Sequence, residues 1–252
     1  MQNLLYINGD SYATENKDFP VYAEYIAEHL GYNVYNNAIS GSCNSRIFRT
    51  SVRDLLELKQ KYNKILACVS LSFLTRTEIW DINHKISKFR NEKNNDGDFL
   101  SIDPADTNGG HEWFKKILST NTGAGEYKDF SRNFLINYDS EAETVKLFEK
   151  MILFVNFCEN NNIDYIISSP MFQEKVDFNS PFIKVFYEEI KNNSNILDIF
   201  EFSFLEWCLK NKHIPEDNHI AFVNKKKYQV GHLGESGHRA FGKFLIKKYF
   251  TS

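Results

Sequence analysis

Two short stretches at opposite ends of the chain carry residue types suited to nucleophilic chemistry. Near the start, Gly9-Asp10-Ser11 follows the apolar run Leu4-Leu5-Tyr6-Ile7 and Asn8. A serine at such a strand-to-helix turn lies among backbone N–H groups and near the positive end of a helix, and both stabilise an alkoxide or an oxyanion. The same tripeptide is also an ordinary turn and helix cap, so alone it decides nothing. Near the end, Gly231-His232-Leu233-Gly234-Glu235-Ser236-Gly237-His238 precedes a helical pattern. A histidine held in that loop is well placed to reach a serine on the first strand's loop and act as its base. His238 falls in the first turn of the helix, where a surface position is expected. Arg46, Arg49, Arg76 and Glu78, together with Asp10, could meet a polar or anionic substrate at the strand ends, and surface ion pairs are the competing reading. Asp103, Asp106, His111 and Glu112 match no ligand spacing, so no metal site is expected. Cys43, Cys68, Cys158 and Cys208 lie far apart without a CxxC pair, which argues against a zinc knuckle or disulfide framework and for a reducing compartment.

These groups need a scaffold, and the hydrophobic pattern supplies one. Leu4 to Ile7 reads as a buried strand. Pro20 opens a helix with Tyr22, Tyr25, Ile26, His29 and Leu30 inward, and Gly31 ends it. A short strand near Asn33 to Tyr35 leads through a polar loop to a second helix with Phe48, Val52, Leu55 and Leu56 on its apolar face. Ile65 to Leu71 is nearly continuously apolar, as parallel strands are when helices cover both faces. The rhythm breaks over residues 75–140, read as an insertion whose Trp80, Trp113, Phe114, Tyr127 and Phe130 form either a sugar-stacking lid or a small satellite core. It resumes with a helix from Glu141 to Asn160, a strand at Tyr165 to Ser168, a helix from Pro181 to Lys191, a strand at Ile196 to Ile199 and a closing helix from Ser236 to Tyr249. Alternation of this kind predicts one α/β domain over residues 1–252, a three-layer sandwich with a mostly parallel sheet. Ligands of such sheets bind at the carboxyl ends of the strands, where Ser11 would stand.

Composition narrows the functions. Thirty Lys plus Arg against 33 Asp plus Glu leave a formal charge of -3, without the basic excess that a phosphate backbone needs, so nucleic acid is not expected as a partner. No apolar window has the length of a membrane span and no basic flank precedes the first apolar run, so a cytoplasmic protein with neither secretion signal nor membrane partner is expected. Aromatics make up 15% of the chain, a load that a core absorbs and that also suits a sugar-stacking surface.

The chain resembles the SGNH (GDSL-type) hydrolase family, in particular its compact members found in phage genomes. The resemblance runs from Leu4 to about Tyr249, apart from most of the insertion. It implies a flavodoxin-like αβα fold. Gly9-Asp10-Ser11-Tyr12 matches the first family block and would make Ser11 the nucleophile, with its own N–H in the oxyanion hole. Asn37-Ala38-Ile39-Ser40-Gly41-Ser42 matches the second, so Gly41 would give a second backbone donor. The third block should read Gly-x-Asn-Asp, but the chain has Ser70-Leu71-Ser72-Phe73, which puts Ser72 where the family has its oxyanion Asn; Asn44 could take over that task. The fourth should read Asp-x-x-His, but the chain has Gln229-Val230-Gly231-His232. His232 is kept as the base and the acid is replaced. Gln229 could orient the imidazole without a charge, or Glu216 or Asp217 could supply a displaced carboxylate. The implied function is a serine esterase that removes a small acyl group, acetyl first, from a glycan or a similar polar ester, without metal or cofactor. An acyltransferase, or a non-catalytic binding or assembly protein on a decayed scaffold, is the alternative.

Overall fold

The computed structural model describes residues 2–74, 76–80, 99–102, 133, 136–170, 179–197, 202–213, 219–223, 226–230 and 232–251. Strand β1 (Leu4–Asn8) is buried at every position. It lies between β2 (Asn33–Asn36) and β3 (Ile65–Ser70), and β6 (Asp164–Ser168) follows β3, all parallel in the order β2-β1-β3-β6. The strand expected over Ile196 to Ile199 is a single parallel bridge from Ile196 to Ile167 at the far edge; Asp198 and Ile199 lie outside the described residues. The chain winds outward from β1 to β2 and then returns to β3 on the other side. The loops after β1 and β3 therefore meet at the point where the winding reverses, the place where such sheets open a crevice.

Helices α2 (Asn44–Leu58), α3 (Ser140–Asn160) and α4 (Pro181–Lys191) share one apolar core with Leu4, Tyr6 and the β3 residues Ile65, Ala67 and Val69. Helices α1 (Tyr22–Leu30), α5 (Phe204–Lys210) and α6 (Glu235–Phe250) enclose a second core around Leu5, Ile7, Leu66 and Cys68. Alternate residues of β1 thus feed opposite cores, which is why its run is unbroken by polar residues until Asn8. The architecture is the expected three-layer α/β arrangement.

Three expectations are corrected in detail. Pro20 lies outside α1, which starts after Val21, whose N–H donates to the Glu24 carboxylate at 2.7 Å. His29 is exposed, and the buried stripe is Tyr22, Ala23, Ile26 and Ala27. Here α6 approaches closely: a Cβ at Gly242 would lie 2.7 Å from the Tyr22 carbonyl oxygen, so the two helices meet nearly backbone to backbone at this point. On α2, Leu56 points outward, while Asn44, Arg46, Thr50, Ser51 and Asp54 are buried. This polar stripe is satisfied from the sheet. Tyr6 hydroxyl donates to Asp54 at 3.0 Å, and Asn8 Nδ2 donates to Thr50 Oγ1 at 2.8 Å and Ser51 Oγ at 2.9 Å.

Two antiparallel hairpins were not legible in the sequence. In the expected insertion, β4 (Thr77–Trp80) pairs with β5 (Phe99–Ile102). Before the last helix, β7 (His219–Val223) pairs with β8 (Lys226–Val230), which carries Gln229 opposite Ile220. Trp113, Phe114, Tyr127, Phe130, Asp103, Asp106, His111, Glu112, Glu216 and Asp217 lie outside the described residues. Among the described residues no helix is long and apolar enough to cross a membrane, and no group of three or more His, Cys, Asp or Glu side chains could hold a metal ion. All four cysteines are buried thiols, and burial pushes those of Cys68, Cys158 and Cys208 up to about 12, which leaves them poor nucleophiles.

Candidate active site

The turn after β1 is built to hold one side chain at its tip. Asn8 Oδ1 accepts the Gly9 N–H at 2.9 Å, and a Cβ at Gly9 would lie 2.7 Å from Ser70 Cβ, so only glycine lets the turn pass this close to β3. The Asp10 carbonyl accepts the N–H groups of Ala13 at 3.0 Å and Thr14 at 3.1 Å, and its carboxylate accepts that of Tyr12 at 3.1 Å. Ser11, half-buried, is carried by this closed turn.

Asp10 is a positioning group rather than a substrate contact, which corrects the expectation for it. It is fully enclosed, and Arg76 NH1 lies 3.3 Å from its Oδ2 and donates to Ser72 Oγ at 2.9 Å. Burial pushes the Asp10 carboxyl up to about 6, against the opposing pull of Arg76, the Tyr12 N–H and His232. Arg76 therefore joins the turn after β1 to the loop after β3. Glu78, also expected at the substrate, is paired instead with Arg49 at 2.5 Å and ties β4 to α2. Arg46 is buried and donates to Ser42 Oγ at 3.1 Å and to the Asn37 carbonyl at 3.3 Å, so it braces the second block from beneath.

The second block lies against the end of β1. Asn37 N–H donates to the Ile7 carbonyl at 2.8 Å and Ile39 N–H to the Gly9 carbonyl at 3.2 Å, and the turn closes through Gly41 at φ 80°. That left-handed backbone suits glycine. Asn44 is buried at the start of α2. Its Nδ2 donates to the Ser72 carbonyl at 2.9 Å while its Oδ1 accepts the Ser72 N–H at 2.8 Å, so it acts as a strand-like partner that fixes Ser72. Both ends of the Asn44 amide thus meet the Ser72 backbone, and the second Nδ2 hydrogen stays able to donate elsewhere.

His232 arrives from the other end of the chain, in the loop after β8. It is exposed, and its ring lies 5.2 Å from that of Tyr12 at 34°. Ser11 and His232 line one cleft of about 270 Å³, together with Thr14, Asn16, Phe19, Val21, Leu233 and His238. The side chain of Gln229 is outside the described set, so its expected orienting role has only the backbone position in β8 behind it.

His238 overturns the surface expectation. It is buried, its Nδ1 accepts the Tyr22 N–H at 3.1 Å, and Phe19, Tyr22 and Phe204 surround its ring. Burial first and His232 second push it down to about 4, against a hydrogen bond with the Leu233 backbone. The signal was present in the sequence: His238 shares a helical stripe with Phe241 and Leu245, at offsets of 3 and 7. Tyr12, Thr14, Asn16 and Phe19, which line or brace the cleft, had no such signal.

A pH prediction follows from these two groups. As pH falls from about 6.5 to about 4, the unfolded chain binds a proton at His238 that the folded chain refuses, so stability drops. As pH falls from about 6 to about 3.8, the folded chain binds a proton at Asp10 that the unfolded chain does not, so stability rises. Each effect is worth about 3 kcal/mol and they oppose each other. Asp10→Asn should therefore lose more Tm than wild type between pH 7 and 4.5, and His238→Gln should lose less. Parallel Tm curves for all three proteins would refute the pairing.

No model of a known protein family matches the chain, and no curated protein does. Among solved structures the chain is similar to protein YXIM of Bacillus subtilis, with 13% identity and a TM-score of 0.46 over 98% of this chain and 56% of that one. The chain thus spans little more than half the length of that protein. It is similar to a protein given as a G-D-S-L-family lipolytic protein from Desulfitobacterium hafniense, with 11% identity and a TM-score of 0.44 over 98% and 99% of the two chains. It is also similar to a catalytic mutant of Axe2, an acetylxylan esterase from Geobacillus stearothermophilus, with 14% identity and a TM-score of 0.44 over 100% and 95%.

Proposed function

We propose that this chain is a serine esterase of the SGNH type that removes a small acyl group, acetyl first, from a carbohydrate or a similar polar ester. The observation that carries the reading is that Ser11 and His232, from opposite ends of the chain, line one cleft. In the reaction Ser11 Oγ attacks the ester carbonyl while His232 takes its proton. The N–H groups of Ser11 and Gly41 hold the oxyanion, and Ser72, fixed by Asn44 and Arg76, is the further donor. The tetrahedral intermediate collapses, His232 protonates the leaving alcohol, and water then hydrolyses the acyl enzyme with His232 again as base. No metal or cofactor enters any step.

The size and lining of the cleft support a short acyl group on a hydroxylated partner. A volume of about 270 Å³ is at the small end for a binding pocket, which suits a short acyl group. Thr14 and Asn16 offer hydroxyl and amide groups to sugar hydroxyls, and Phe19 offers a ring face.

A fluorophosphonate probe tests the reading without knowledge of the natural substrate, because it reports an activated serine. Labelling that maps to Ser11 and is blocked by heat denaturation is the expected result. An unlabelled, folded protein would point to the binding or assembly alternative.

A further inference from the structure

Tyr12 directly follows Ser11 and belongs to the same turn, held by its N–H bond to Asp10. Its side chain is buried, 5% exposed. One side meets Phe204 edge-on at 6.3 Å, and Phe204 is in turn stacked on Phe241 at 4.5 Å in the core. Another side lies against His232, with ring centroids 5.2 Å apart and planes 34° from parallel. The imidazole is exposed and sits on a loop, so this contact with a core-anchored ring gives it a fixed wall on the side of the nucleophile turn.

We propose that Tyr12 is a positioning residue for His232, in which the aromatic face aligns the base over the Ser11 cleft and favours the imidazolium that forms when the serine proton is transferred. The inference rests on the esterase reading for its consequence in turnover. An aromatic face attracts a cation within about 6 Å of its centroid, and the attraction grows as water is excluded. Tyr12 therefore combines both tasks that a carboxylate usually serves at a catalytic histidine, orientation and charge stabilisation, in a weaker form. The chain economises in this design: one turn aims the nucleophile and, through the next residue, the base. His238 complements it from α6, since its bonds to Tyr22 N–H and to the Leu233 backbone tether the His232 loop to the start of α1.

Among the described residues, titratable and charged groups that act on His232 or its surroundings include Asp10 from the turn after β1, with Arg76 behind it, and His238 from α6. None of them changes in the variants that test the proposal. Tyr12→Leu removes the π face and keeps apolar bulk, Tyr12→Met does the same with a more adaptable chain, and Tyr12→Phe keeps the face and loses only the hydroxyl. The imidazole titration of His232, followed by NMR of its C2–H signal, should move down by about half a pH unit in the Leu and Met variants and stay in place in Tyr12→Phe. In p-nitrophenyl acetate hydrolysis, kcat should fall about tenfold in Leu and Met with KM nearly unchanged, and its acid limb should follow the NMR shift. Tyr12→Phe should rescue both. An unshifted His232 titration in a folded Leu or Met variant overturns the proposal, and so does a Phe variant as impaired as Leu. If wild type turns over no ester but the titration shifts as described, the esterase reading fails while the Tyr12 contact stands; normal turnover with an unshifted titration sinks the Tyr12 proposal alone.

Discussion

Ser11→Ala should lower p-nitrophenyl acetate hydrolysis by about 10³-fold or more while the thermal unfolding curve stays within a degree or two of wild type. The loss is large because the hydroxyl is the only group at the tip of the turn able to form the acyl enzyme. The fold survives because the turn is closed by backbone groups and by neighbours of the serine: Asn8 on Gly9 N–H, and the carbonyl and carboxylate of Asp10 on the N–H groups of Tyr12, Ala13 and Thr14. The serine hydroxyl is not among these bonds. Stopped assays with the purified variant, corrected for the spontaneous rate, measure the effect. Wild-type turnover in the Ala variant would remove Ser11 from the reaction and with it the cleft assignment.

His232→Ala and His238→Ala should separate rate from stability. His232 is exposed and its removal should cost about 10³-fold in kcat/KM with little change in Tm. His238 is buried, and its loss leaves the Tyr22 N–H at the start of α1 without its acceptor, a cost of about 1–3 kcal/mol. In a protein of this size that is roughly 2–4 °C of Tm for each kcal/mol. Below its melting range the His238 variant should keep turnover within about tenfold of wild type, because its ring acts on the His232 loop through backbone bonds rather than on the reacting atoms. Calorimetry together with initial rates for both variants decides the matter. A His238 variant that keeps full Tm and loses all activity would exchange the two roles.

The strands of the parallel sheet and their order of appearance were legible in the sequence. Leu4 to Ile7, Ile65 to Leu71 and Tyr165 to Ser168 are nearly all apolar because helices cover both faces of the sheet, and burial on two sides leaves room only for a small polar residue such as Ser70 or Ser168 near the strand end. The turn at Gly9-Asp10-Ser11 and the histidine before the last helix were legible for the same local reason: they interrupt or flank apolar runs at points where the chain must change direction. Pairing Ser11 with His232 needed the further rule that ligands gather at the carboxyl ends of parallel strands.

Tertiary structure decided how the polar residues are used. Periodicity reports whether a side chain is apolar. It does not report which polar side chain will find a partner from another element, and a buried polar group is tolerated only when it does. Thr50, Ser51 and Asp54 stand outside the apolar pattern that marks α2 but are inward, because Tyr6 and Asn8 bring them matching donors from β1. Asn44 reads as a loop donor and also brackets the Ser72 backbone, while Asp10 and Glu78 read as substrate contacts and pair with Arg76 and Arg49. His238 reads as a helix-surface residue and is enclosed because Tyr22 presents an unbonded N–H at the start of α1 in the one place its Nδ1 can meet it. Each of these outcomes depends on a partner far away along the chain, and such partners are chosen by how the layers stack after the strands and helices have formed.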